Sequence, residues 1–435
     1  VIAAAEGRAQ GDARVVRADL PGGAHILVVR DPTAPVVTAR AVWPGGMRLE
    51  REASAGLTRL MADSWVAGCG QRGASEVAYA LERTAGSMWG IAGRDSVELA
   101  AEWPVSSWRA GLALMADCAL APRFAATAVD RARRNLLAER AARDRSAGER
   151  AWQLLVATLH EGGAYAADPL GTESSLEAID ARAVAAHFAA AYPGGAMAVA
   201  VVGDVDPDQV VAAARKAFAS AKSGPRPVGG PQRTTASAAG ERQVFGFLPG
   251  EVSAVAVGFR GVPIAHPDRA GLDVLAEVLA ARVGAKLRLD QRLVHRASAM
   301  SIEGVESGFV AVEIACRADR TSAAVAALRA EIDRLRTAGP TQDEITRALR
   351  ALRRPDPHPA SALASDEALG TAAAARARRA AFPRLRAADL AALAARTFTW
   401  DAAVIATVMP PRASPEAARR ARGSVRRAIK RRPRR

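Results

Sequence analysis

The sequence predicts an α+β fold built twice: two homologous domains, each a mainly antiparallel sheet with helices packed on one face. Three observations carry this. The first third alternates short β-branched runs with Pro-Gly turns before it changes to helical periodicity. A Pro- and Gly-rich stretch, residues 221–241, interrupts the chain near its middle. After it the same order of elements returns, as an internal duplication would produce. The implied organisation is a first domain over 1–220, a linker over 221–241, a second domain over 242–411 and a basic tail over 412–435.

Each element has a local reason. Val15 to Asp19 and Ala24 to Arg30 are strand-like runs joined at Pro21-Gly22-Gly23. Pro35 to Trp43 is a third, stopped by Pro44-Gly45-Gly46. From Ser54 to about Gly68 the apolar residues Leu57, Leu60, Met61 and Trp65 fall on one helical stripe. Ser75 to Thr84 is a short helix, and Ser87 to Gly90 and Val97 to Trp103 are strands about a Gly93-Arg94-Asp95 turn. Helices follow over Ser107 to Leu120, Ala125 to Arg143, Ala147 to His160 and Asp180 to Tyr192. Ala196 to Val202 is an apolar strand, and Asp208 to Phe218 a helix. Beyond the linker, strands are expected at 243–247, 252–259, 294–302, 308–314 and 402–409. Helices are expected at 271–281, 321–337, from the Thr341 to Glu344 capping box onward, at 361–379 and at 387–395.

Composition narrows the classes. The chain has 435 residues, half of them apolar, and no run of eighteen apolar residues that would span a membrane. The net charge is +15, but residues 412–435 hold eleven Arg or Lys against Glu416 alone. That tail reads as solvated charge without interleaved aromatics, so no specific nucleic-acid partner is implied. Cys69, Cys118 and Cys316 are far apart and odd in number; they allow one disulfide at most, or three small buried side chains. The opening Val1-Ile2-Ala3-Ala4-Ala5-Glu6 reads either as the stub left when an apolar export signal is removed or as a chain boundary.

Local strings over residues 13–410 resemble the pitrilysin and mitochondrial-processing-peptidase family, whose members carry the inverted zinc motif H-x-x-E-H. They include Leu20-Pro21-Gly22-Gly23, Pro44-Gly45-Gly46 with Glu50, Gly56-Leu57, Ala85-Gly86, Arg94-Asp95 and Asp117 with Pro122. Asp168-Pro169-Leu170-Gly171 and Val202-Gly203-Asp204 complete the first half. Gly261 with His266-Pro267-Asp268, Arg288, and Ala297-Ser298-Ala299 mark the second. The resemblance implies the metallohydrolase fold shared by LuxS and the processing peptidases.

In that family two imidazoles on one helix, a Glu base between them and a distal Glu make a catalytic zinc site. By register from Gly56-Leu57, the His positions hold Arg59 and Asp63 and the Glu position holds Ala62. The distal Glu corresponds to Glu139, in a charge-rich helix with Arg134, Arg140 and Arg143. A guanidinium has no lone pair to give a metal, and alanine takes no proton from water. Arg59 and Asp63, four apart, are placed instead to pair with each other. None of the six His is close to another in sequence.

Further roles are implied by the resemblance. Its substrate-binding edge strand corresponds to Ser87-Met88-Trp89-Gly90. Its Arg and Tyr pair, which steadies a peptide carbonyl, corresponds to Arg288 and His295. The resulting expectation is a non-catalytic, substrate-binding or regulatory subunit, with no cofactor in this chain. Zinc would reside in a homologous peptidase subunit, as a heterodimer or a dimer of heterodimers acting on peptides or unfolded chains. The alternative is a purely structural or binding homologue without peptidase activity. A bacterial periplasmic setting is favoured over the cytoplasm.

Overall fold

The computed structural model describes residues 7–8, 14–224, 240–353 and 358–411. Most of the 221–241 linker, the tail from 412 and the opening Val1 to Glu6 lie outside these residues. The strands are β1 Gly7–Arg8, β2 Arg14–Asp19, β3 His25–Arg30, β4 Val36–Pro44, β5 Gly68–Cys69, β6 Arg72–Gly73, β7 Ser87–Ala92, β8 Ser96–Pro104, β9 Ala198–Gly203, β10 Arg242–Phe247, β11 Val252–Arg260, β12 Arg296–Ile302, β13 Phe309–Arg317 and β14 Val404–Met409. The helices are α1 Leu57–Ser64, α2 Ala74–Arg83, α3 Trp108–Leu120, α4 Ala126–Arg143, α5 Ala147–Leu159, α6 Glu173–Ala178, α7 Ala181–Ala191, α8 Pro207–Ala217, α9 Arg269–Val283, α10 Thr321–Ala338, α11 Gln342–Leu352, α12 Pro359–Leu369, α13 Ala372–Ala381 and α14 Ala387–Thr397.

The α+β class and the mainly antiparallel sheets follow the expectation. One sheet has seven strands in the order β1-β2-β3-β9-β4-β8-β7, and another has five in the order β10-β14-β11-β13-β12. Most pairs are antiparallel; β3 with β9 and β10 with β14 are parallel. Compact units divide the described residues by space rather than by chain half. One takes those within 1–140, 163–233 and 355–376, and the other those within 141–162, 234–354 and 377–435.

In the first unit the helical layer buries Leu60 and Met61 of α1, and Trp65 just after it, with Trp43 and Trp103 of the sheet. The opposite sheet face is closed by α12, whose Ala360, Ala364 and Ala368 meet Val29, Val42 and Val202. Small side chains three or four apart let the helix lie close to the strands. In the second unit α9, α10 and α14 form the main layer, with Val257, Val312 and Ile314. There α5 packs Ala151 and Leu155 on the other face, against Ala256 and Val408. Each sheet thus gains one helix beyond the single expected layer.

Several boundaries differ for local reasons. The helix expected from Ser54 begins at Leu57, because Gly56 takes a left-handed conformation with φ 91°. The helix expected over 361–379 is two helices, broken where Gly370 has φ 71°. The segment before β12 is not strand from Val294: a π-helical turn covers Gly284–Asp290 and β12 starts at Arg296.

A partly buried imidazole in the first unit gives a pH-dependent term. His187 Nε2 lies 3.5 Å from Tyr192 Oη, and burial pushes the imidazole down to about 4. Unfolded histidine titrates near 6.5. The unfolded chain therefore takes up this proton first, and stability is lost as pH falls from about 6.5 through about 4. The expected loss is about 3 kcal/mol. Denaturant melts at pH 7 and pH 4 check this: His187→Gln should lose about that much less than the parent.

Candidate functional site

Helix α1 is anchored at its start by a carboxylate. Glu50 accepts hydrogen bonds from the backbone of Gly56 at 2.9 Å and of Thr58 at 2.6 Å. These are first-turn amides that no helical carbonyl can reach. Burial pushes the Glu50 carboxyl up, and its bonds to Thr58 and Gly56 pull it back. With Leu60 and Met61 turned into the core, Arg59 and Asp63 fall on the face toward α4.

The four positions that the resemblance assigns to a zinc site are Arg59, Ala62, Asp63 and Glu139, and three of them form an ion-pair cluster. Arg59 Nε lies 3.0 Å from both Asp63 carboxylate oxygens, and its Nη2 lies 2.8 Å from Glu139 Oε2. The three side chains are 31%, 27% and 47% exposed for Arg59, Asp63 and Glu139. Glu139 pairs with Arg59 rather than with its helix neighbours: Arg140 binds Asp168 at 2.9 Å, and Arg143 binds Asp144 at 3.1 Å. Ala62 is buried beneath, and its carbonyl oxygen fills the space where a side chain on Gly90 would begin. Strand β7 therefore lies hard against α1, and glycine at 90 is what permits the approach.

One cation thus stands between two carboxylates. Burial pushes the Asp63 carboxyl up and Glu139 adds to this, while Arg59 pulls it down. Burial works against the Arg59 charge, but the two carboxylates outweigh it and hold the guanidinium protonated. Zinc needs lone-pair donors converging on one point. Here the would-be centre is filled by a fork of N–H donors, so the residues present do not fit that metal. Among the described residues no group of three or more His, Cys, Asp and Glu converges as metal ligands.

Ser87, Met88, Trp89 and Gly90 lie in β7, the outermost strand of its sheet. Met88 is buried and Trp89 half-exposed. In the second unit, Arg288 sits exposed in the π-helical turn and His295 just before β12, its backbone N–H bonded to Ala315 O at 2.9 Å. The structure does not bring Arg288 and His295 together through a side-chain hydrogen bond among the described residues.

Sequence reasoning missed three features here. Cys69 and Cys118 form a disulfide between β5 and α3, both side chains buried, while Cys316 is free. Glu50 acts as the α1 anchor. Arg40 and Glu98 form a buried ion pair at 2.9 Å inside the sheet. For the last, the signal was present: single charges at alternating positions within otherwise apolar strands.

Comparison with known proteins agrees with this fold. Residues 25–173 match the family described as Insulinase (Peptidase family M16), and residues 178–352 match the Peptidase M16 inactive domain. An uncharacterized zinc protease of Streptomyces coelicolor is 25% identical over 353 residues, which is 79% of this chain and 76% of that one. The crystal structure of a peptidase M16 inactive domain from Pseudomonas fluorescens has a TM-score of 0.80 at 18% identity, covering 91% of this chain and 98% of that chain. Pitrilysin matches at a TM-score of 0.73 and 19% identity, over 92% of this chain but only 45% of its own length. With both family profiles matched in order along the chain, this protein belongs to peptidase family M16.

Proposed function

We propose that this chain is the substrate-binding or regulatory subunit of a heterodimeric zinc peptidase acting on peptides or unfolded chains, and does not cleave peptides alone. One observation carries the reading: the Arg59 guanidinium bridges Asp63 and Glu139, the positions that the family resemblance assigns to zinc ligands. Catalysis then requires zinc from a homologous second chain, whose metal would activate water. That the pitrilysin chain is about twice as long as this one agrees with two such chains acting together.

In this reading a peptide joins the open edge of β7 as an added strand. Arg288 and His295 serve as hydrogen-bond donors to a peptide carbonyl held at the partner's zinc. The proposed compartment is the bacterial periplasm. The Cys69–Cys118 disulfide supports it, because such bridges persist where the surroundings are oxidising.

The test is reconstitution with a homologous zinc-bearing subunit and an internally quenched, unfolded peptide. The expected result is hydrolysis by the mixture alone, abolished by a chelator. Arg288→Ala should lower kcat by about 100-fold in the mixture. Turnover by this chain alone would refute the role. A stable but inactive complex would favour the structural homologue instead.

A further inference from the structure

Strand β7 presents a second face, away from α1. Across β7 and β8, Ser87 pairs with Glu102, Trp89 with Ala100 and Ile91 with Glu98; across β4 and β8, Arg40 pairs with Ala100. Residues directly opposite in a sheet point the same way. These side chains therefore share one face, the one whose inner part α12 covers. At its rim Trp89 and Ile91 remain 36% and 39% exposed.

Arg40 is buried beneath this rim. Its Nε lies 2.9 Å from Glu98, its Nη2 lies 3.1 Å from Glu102, and its guanidinium carbon is 5.3 Å from the centre of the Trp89 ring. The cation holds the indole from one side and leaves the rest of the ring outward. Ser361 of α12 donates to Glu98 and fixes that carboxylate. Glu98 is engaged by Arg40 and Ser361 and faces His358 as well. Glu102 is the accessible carboxylate, its side chain 38% exposed and next to the small Ser87.

We propose that β7 selects its peptide on this face. The segment bound has apolar side chains at two alternate positions, over Ile91 and Trp89, and a basic side chain at the next alternate position, beside Ser87 and Glu102. The proposal rests on the reading of β7 as a strand-addition site. Alternate residues of an added strand point to one side. A strand antiparallel to β7 runs from the Ile91 end to the Ser87 end, so its sequence reads apolar-x-apolar-x-basic. Apolar burial supplies affinity at the first two positions, and charge complementarity sets the third.

The experiment is fluorescence anisotropy with the full chain and four labelled short peptides. One carries Phe-x-Val-x-Arg. A second has the same composition with Phe and Val adjacent, a third has Glu in place of Arg, and the fourth is the first with alternate backbone amides methylated. The first is expected to bind about tenfold more tightly than the second and third. The methylated peptide should not bind. Trp89→Thr and Ile91→Thr should each erase the preference for alternating apolar residues while keeping the sensitivity to backbone methylation, and Trp89→Tyr should keep both. Equal binding of the first two peptides, with loss on methylation, overturns the selectivity and leaves strand addition standing. Binding by the methylated peptide as tight as its parent overturns strand addition and this proposal with it.

Discussion

Cys69→Ala with Cys118→Ala is expected to cost about 4 kcal/mol of unfolding free energy in the first unit. The bridge spans a sequence separation of 49 residues, so the oxidised chain is held in a much smaller unfolded ensemble than the reduced one. The closed loop includes β7, β8 and most of α3, and so contains the edge strand assigned to peptide binding. Guanidinium melts of oxidised and reduced protein should therefore show an early transition that moves, and the double variant should track the reduced protein. A transition unaffected by reductant would show that the bridge adds nothing. Thiol labelling of denatured whole-cell extract gives the cellular counterpart: Cys69 and Cys118 should resist alkylation until reduced.

Replacing Arg59 should also destabilise the first unit. Arg59→Ala leaves a partly buried Asp63 and an exposed Glu139 without a counter-charge, at a cost of about 1 kcal/mol at neutral pH. The cost should shrink in acid, as Asp63, whose carboxyl burial pushes up, takes up a proton. Adding Asp63→Asn to Arg59→Ala should recover most of the loss, because the repulsion then has only one member. A double-mutant cycle reads the coupling directly. Additive single effects would mean that the bridge is a surface pair of no consequence. Arg59→His should go further: an imidazole would then stand beside Asp63 and Glu139, a set able to bind a divalent cation where the parent cannot.

The sequence announced some of this and concealed the rest. Arg59 and Asp63 were legible as a pair because helical geometry brings residues four apart onto one face. Glu139 was legible only through the family resemblance, since nothing local connects it to a helix 80 residues earlier. Helix lengths failed where one glycine decided the outcome, at Gly56 and Gly370, because apolar periodicity runs through such a residue unchanged. The disulfide was illegible: with three cysteines the pairing depends on how α3 lies against β5, a tertiary fact. The placing of α5 and α12 against their sheets was illegible too, because alanine-rich faces fit any flat apolar surface. The charges within β4 and β8 could have been read, since a lone Arg or Glu inside an apolar strand demands a partner across the sheet.

The central claim is that a fixed guanidinium occupies the position of the family's metal. Metal content of the purified chain, dialysed against equimolar zinc and measured by plasma mass spectrometry, tests it most directly. Less than about 0.1 zinc per chain is expected, with the Arg59→His variant binding more. One zinc per parent chain, displaced by mutation of Asp63 or Glu139, would contradict the claim.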